Sequence, residues 1–138
     1  MTVHLVKLCV GVEDPETLIA YQARRLAASQ ELVHVTRMTP KQADELLDGG
    51  SLYWVMKGQV RCRQRILELR ALVDDEGKRH CGLLLDPQVV LTERLAKRPF
   101  QGWRYLDKAA APRDASSVEG VDDMPTEMRE ELLALGLL

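Results

Sequence analysis

The chain carries one phenylalanine, two tryptophans and three tyrosines among 138 residues. With so few rings, aliphatic side chains must supply most of the core, and each ring is either filler or a contact surface. Long apolar runs are missing too. None approaches the ~20 residues of a membrane span, so no membrane association is expected. The opening Met1-Thr2-Val3-His4-Leu5-Val6-Lys7 has no basic stretch followed by a long apolar core, which argues against a secretory signal. The three cysteines, Cys9, Cys62 and Cys81, form no C-x-x-C pair and sit among apolar neighbours. They read as reduced structural thiols of a cytoplasmic protein. No carboxylate pair, Ser-His-Asp order, glycine-rich phosphate loop or metal-ligand cluster is present. His80 and Cys81 are adjacent in a strand pattern and point to opposite faces, so they cannot share a metal from that strand. The expectation is a non-catalytic protein with no cofactor and no metal.

What is present fits one domain, able to bury roughly two-thirds of its unfolded surface without a disulfide or metal. The net charge of −2 hides a strong asymmetry. Residues 1–56 are net −2, residues 57–113 net +6, and residues 114–138 net −6. A basic middle beside an acidic end points to a localised positive face, for which the tail can compete.

Thr2 to Val12 reads as a central strand, apolar on both faces. Asp14 as N-cap and Pro15 at the first helical position start a helix that stops near Ser29-Gln30. Gln22, Arg24 and Arg25 are expected on its wet side. Leu32 to Met38 is a short alternating strand. Thr39, Pro40 and Gln42 form a capping-box start for a second helix, which Gly49-Gly50 ends. Leu52 to Met56 and Gln59 to Val73 are strands joined by a tight turn at Lys57-Gly58. In the second, the apolar phase flips after Ile66, which requires a bulge or a bend there. Asp74-Asp75-Glu76-Gly77 is a hairpin turn. Strands follow at Lys78–Leu85 and Gln88–Glu93, and residues 107–124 read as a loosely held linker. A short helix is expected from Met124. The fold class is α+β, a single domain over 1–113 with an acidic linker and short helix over 114–138. Its bent, mostly antiparallel sheet would form a half-barrel, with two helices in the first half.

Three runs carry a family resemblance: Asp48 to Gly58, Arg63-Gln64-Arg65-Ile66, and Arg98 to Leu106. With His4 to Leu8 and His34 to Met38, they resemble the bacterial family catalogued as domain of unknown function 1489. The resemblance covers about residues 3–113 and implies a cytoplasmic bacterial protein, with no activity or site attached. The outline is also similar to the pseudouridine-synthase-and-archaeosine-transglycosylase (PUA-like) superfamily, whose members bind RNA or modified bases.

Arg61, Arg63 and Arg65 are odd-numbered on one strand, about 7 Å apart, a spacing comparable to that of phosphates on an extended nucleic acid. Lys57, Arg98 and Arg104 join them as candidate phosphate contacts. Tyr53, Trp54, Trp103 and Tyr105 flank this basic stretch as candidate stacking platforms. The competing assignments are a solvated face, ion-paired to the acidic tail or to Glu68, and rings that fill the core. His34, Thr36, Arg37 and Lys41 form a candidate pocket, against a buried, hydrogen-bonded histidine. RNA is the expected partner before DNA. A protein partner or homodimer using the basic strand is the alternative, and an enzyme acting on a nucleotide-like small molecule is the third reading.

Overall fold

A computed structural model describes residues 2–115. Its element order is β1 (Val3–Leu8), α1 (Pro15–Ser29), β2 (Leu32–Thr36), α2 (Ala43–Leu47), β3 (Ser51–Met56), β4 (Gln59–Val73), β5 (Arg79–Leu85), β6 (Val90–Ala96) and β7 (Trp103–Asp107). The fold is α+β. Its sheet is mixed and mostly antiparallel, in the order β2-β5-β4-β3-β1-β7, with β6 also paired to β4. The one parallel pair is β1 with β3. The short helix expected from Met124 lies outside the described residues.

The 15-residue β4 holds the sheet together. Its first half lies between β3 and β6, and its second half pairs with β5. β5 and β6 are one return path along β4, broken at residues 86–89, where Asp86-Pro87 cannot continue the ladder. The phase flip after Ile66 is a register shift: Ile66 pairs with Leu85, but Glu68 pairs with Leu84. Leu67 is the extra residue and stays exposed. The Lys57-Gly58 turn has φ of 50° and 76°, the two positive values that a tight hairpin of this twist needs.

Local signals place α1 as read. Asp14 accepts a hydrogen bond from the Thr17 N–H at 2.7 Å, and Gln30 closes the helix in the left-handed region. Two details differ. Gln22 is buried rather than wet, in step with Pro15 and Leu18, while Tyr21 is exposed. The second helix begins at Ala43, three residues after Pro40, and has no side-chain cap. The Gln42 N–H instead donates to the Tyr105 hydroxyl at 3.1 Å, so a distant phenol replaces the expected capping box.

The core is in two parts. Leu5, Leu52, Trp54, Cys62, Ile66 and Leu83 belong to the larger cluster, which α1 and α2 join through Leu18 and Leu46. Val6, Tyr53, Val55, Val60 and Leu106 form the smaller one, with Leu95, Phe100 and Ala111 against it. Neighbouring residues of β1 and β3 alternate between the two clusters, so both faces of these strands are covered. Residues 108–114 are tied down rather than loose. They run from β7 to the edge of β6, where Asp114 bridges Thr92 and the Arg113 carbonyl accepts from the Glu93 N–H at 2.8 Å.

Gly49 and Gly50 separate two effects. Gly49 has φ of 82° and open space around it. At Gly50 an added Cβ would collide with the backbone carbonyl oxygens of Leu46 and Val3. Gly49→Ala should cost about 1 kcal/mol and Gly50→Ala more than about 3 kcal/mol, read by urea denaturation. Equal costs would contradict this packing.

Candidate functional site

The expected arginine row does not survive folding as a row. A second register shift lies between Val60 and Cys62, opposite one between Trp54 and Val55. Val60 therefore enters the smaller core and Cys62 the larger, and Arg61 is the displaced residue between them. Arg63 is half-buried and bound by Asp114 in a two-pronged ion pair at 2.6 and 2.7 Å, with Ser51 Oγ accepting at 3.0 Å. This is the pairing with the acidic segment that the sequence offered as its alternative. Glu68 binds Arg70 instead of the row. Lys57 meets Glu13 at 3.4 Å, with both side chains largely in water. Arg65 and Arg98 are exposed. Arg104 is exposed as well, with its guanidinium 5.4 Å from the Phe100 ring centroid.

Two of the four candidate rings are interior. Tyr53 is 4% exposed and stands edge-on to His4 at 5.0 Å. Trp54 is 3% exposed and donates from Nε1 to Gln64 Oε1 at 2.9 Å. Neither offers a face for stacking, because β3 is covered on both sides. Trp103 and Tyr105 are half-buried and meet edge to face at 4.9 Å. Trp103 Nε1 donates to the Met38 carbonyl at 2.9 Å.

The structure gathers a different site at the C-terminal end of β1. One cavity, of about 480 Å³, lies between the β1–α1 loop, α1 and β2. Its floor includes Gln22, His34 and Trp54, and its rim Lys7, Arg24 and Arg25. A second cavity, of about 540 Å³, is lined by Arg37, Thr36, Met38 and Trp103 and shares Lys7 with the first. Of the expected pocket residues, His34 is in the first, Thr36 and Arg37 are in the second, and Lys41 is in neither. Among the described residues no Asp or Glu lines either cavity. Arg25 is held in place, donating to the Val33 carbonyl at 3.0 Å with its guanidinium 5.9 Å from the Tyr21 ring centroid.

Sequence reasoning missed Lys7, Tyr21, Gln22, Arg24 and Arg25. The available signals were a lysine inside an apolar strand and twin arginines on one helix. Neither shows that residues far apart in sequence meet.

His34 is the unusual group. Its Nε2 is buried with no hydrogen-bond partner, and the ring stands edge-on to Trp54 at 5.0 Å. Burial disfavours the imidazolium, the Lys7 and Arg25 charges add to this, and the pKa falls to about 4. The imidazole is therefore neutral near pH 7, with one nitrogen a donor and the other an acceptor. Cys9 also lines this cavity, but burial pushes its thiol up to about 11, which leaves little thiolate for nucleophilic work. Among the described residues no cluster of His, Cys, Asp and Glu is suited to a metal ion. None of their helices is long and apolar enough to cross a membrane.

Fold and site together define an α+β domain with paired, cation-rimmed cavities at the C-terminal end of β1. The chain belongs to the family described as protein of unknown function DUF1489, whose model matches residues 5–138. The match runs to the end of the chain, beyond the resemblance expected to cover about residues 3–113. No curated protein and no solved structure matches, so the PUA-like outline gains no support from a structural neighbour.

Two measurements test this site. The unfolded His34 takes up a proton near pH 6.5 and the folded one only near 4. Stability should therefore fall as pH drops through that window, by up to about 3 kcal/mol. His34→Gln should flatten this part of the stability profile, and an unchanged profile would contradict the burial. For Arg63 and Asp114, a double-mutant cycle with alanine should give a coupling of about 1–3 kcal/mol.

Proposed function

We propose that this protein binds single-stranded nucleic acid, RNA before DNA, along the paired cavities and without catalysing a reaction on it. The absence of acidic lining among the described residues carries the reading. Among those residues Lys7, Arg24 and Arg37 have no carboxylate partner, and Arg25 contacts a carbonyl and a ring. Grouped cations without counter-charge attract an anion, and arginine suits phosphate. Trp103 in the second cavity and the exposed Tyr21 of the first supply faces for unpaired bases. Unstacked bases beside rings and cations are the usual target of sequence-tolerant RNA binders. Arg61, Arg65, Arg98 and Arg104 extend the basic surface as secondary phosphate contacts.

A second reading has one observation in its favour. Among the described residues β2 has a strand neighbour on one side only, and Val35 and Met38 are exposed beside that edge. A protein partner or second copy would add a strand there. Sedimentation at several concentrations distinguishes this from nucleic-acid binding.

Filter binding with single-stranded RNA, single-stranded DNA and duplex RNA at two salt concentrations tests the first reading. Single-stranded RNA should be retained best and should weaken steeply with salt. Lys7→Glu with Arg24→Glu should weaken it at least about tenfold and flatten the salt slope, while Arg70→Ala should change neither. Retention that ignores both salt and the cavity variants would end the proposal.

A further inference from the structure

The floor and rim of the first cavity differ in chemistry, and the difference selects a ligand. Its volume of about 480 Å³ falls within the range of roughly 300–1,000 Å³ typical of small-molecule sites. The wall is apolar, from Leu18, Leu32 and Leu85. At depth stands His34, whose Nε2 has no partner. Lys7 and Arg24 stand among the lining without a carboxylate. The Gln22 amide does not answer His34: it pairs with Gln64 at 2.8 and 2.6 Å, and no hydrogen bond reaches the His34 Nε2. The complementary ligand has an apolar-faced body, a polar edge at its inner end and an anionic group at its outer end. A fatty acid would meet the wall and the rim but leave the imidazole unanswered.

We infer that this cavity is a nucleotide pocket: a nucleobase enters toward His34, and its phosphate is held by Lys7 and Arg24. The nucleotide is either a free nucleoside monophosphate or one unstacked residue of a bound strand. In the second case the inference deepens the RNA-binding reading and rests on it. A neutral imidazole accepts from a base N–H or exocyclic amine in one tautomer, and donates to a base carbonyl or ring nitrogen in the other. Nε2 is buried as the ring stands, so binding requires the ring to turn about χ2, which is a soft torsion.

Isothermal titration with AMP, GMP, CMP and UMP, and with ribose 5-phosphate, inorganic phosphate and decanoate, tests the pocket directly. At least one nucleotide should bind at least about tenfold more tightly than ribose 5-phosphate. His34→Phe keeps a ring against Trp54 and removes both nitrogens, and should lose at least about tenfold. Arg24→Ala, on an exposed helix position, should lose at least about threefold. Nucleotides binding no better than phosphate or ribose 5-phosphate would overturn the pocket, as would preference for decanoate or a folded His34→Phe that binds normally. If His34→Phe does not fold, the wild-type His34 Nε2 resonance decides, and no shift at saturation overturns the pocket. Salt-dependent RNA binding that no mononucleotide competes with would remove this inference and leave the RNA reading. Mononucleotide binding without RNA binding would do the reverse.

Discussion

One buried amide sets the geometry of this domain. Gln64 is fully enclosed, and every strong hydrogen-bonding option of its side chain is used. Its Oε1 accepts from Gln22 Nε2 and Trp54 Nε1, and its Nε2 donates to Gln22 Oε1 and the Asp86 carbonyl. An amide buried without partners costs several kcal/mol, so each of these groups has to be in place for the rest to be tolerated. The knot joins α1, β3, β4 and the break between β5 and β6. It also fixes the Trp54 indole, whose edge contact in turn sets His34. The Gln22 and Trp54 part of the cavity floor is thus a consequence of core satisfaction, and those two side chains cannot shift without breaking a buried network.

The second constraint is that β4 serves three partners. A straight strand of 15 residues would carry one face unchanged along its length. The shifts at 60/62 and at 66/68 let it serve first the two-faced sheet and then the β5–β2 pair. The first shift divides the arginines. Arg61 lies on the side of the Asp14 cap, whose carboxyl is held low chiefly by the Thr17 backbone N–H, with smaller help from the Arg61 and Lys57 charges. Arg63 lies on the side of Asp114. Residues with one sequence period therefore end in two electrostatic settings.

Much of this fold was legible locally. The Asp14-Pro15 start, the Lys57-Gly58 turn, the length of β4 and the flip after Ile66 follow from capping, positive φ and side-chain phase. The bulge at Arg61 was not legible, because Val60, Arg61 and Cys62 keep a plausible alternation and only the two cores reveal the shift. Gln64 shared the even phase of Val60, Cys62 and Ile66, which is the one clue that it was interior. Gln22 was expected on the wet side because an amide is acceptable inside only with a partner, and that partner, Gln64, is 42 residues away. The cavities were illegible because β1, α1 and β2 contribute to them separately, and Lys7, Arg24 and His34 share no local pattern.

Charge pairing divides the cations by role. Arg63 and Arg70 meet carboxylates at 2.6 to 3.1 Å, and both lie on β4, where they brace contacts between distant segments. A cation so neutralised contributes little field beyond its partner. Lys7, Arg24, Arg25 and Arg37 sit where no described carboxylate lines the wall, beside an imidazole that burial keeps neutral. Had His34 been placed there only to pack, a phenylalanine would fill the same space without an unanswered nitrogen. Had the cations been placed there only for solubility, acidic neighbours would lower their mutual repulsion at no loss. Retaining both features costs stability, by desolvation at one and like-charge crowding at the other, and a bound anion with a polar edge relieves the two together.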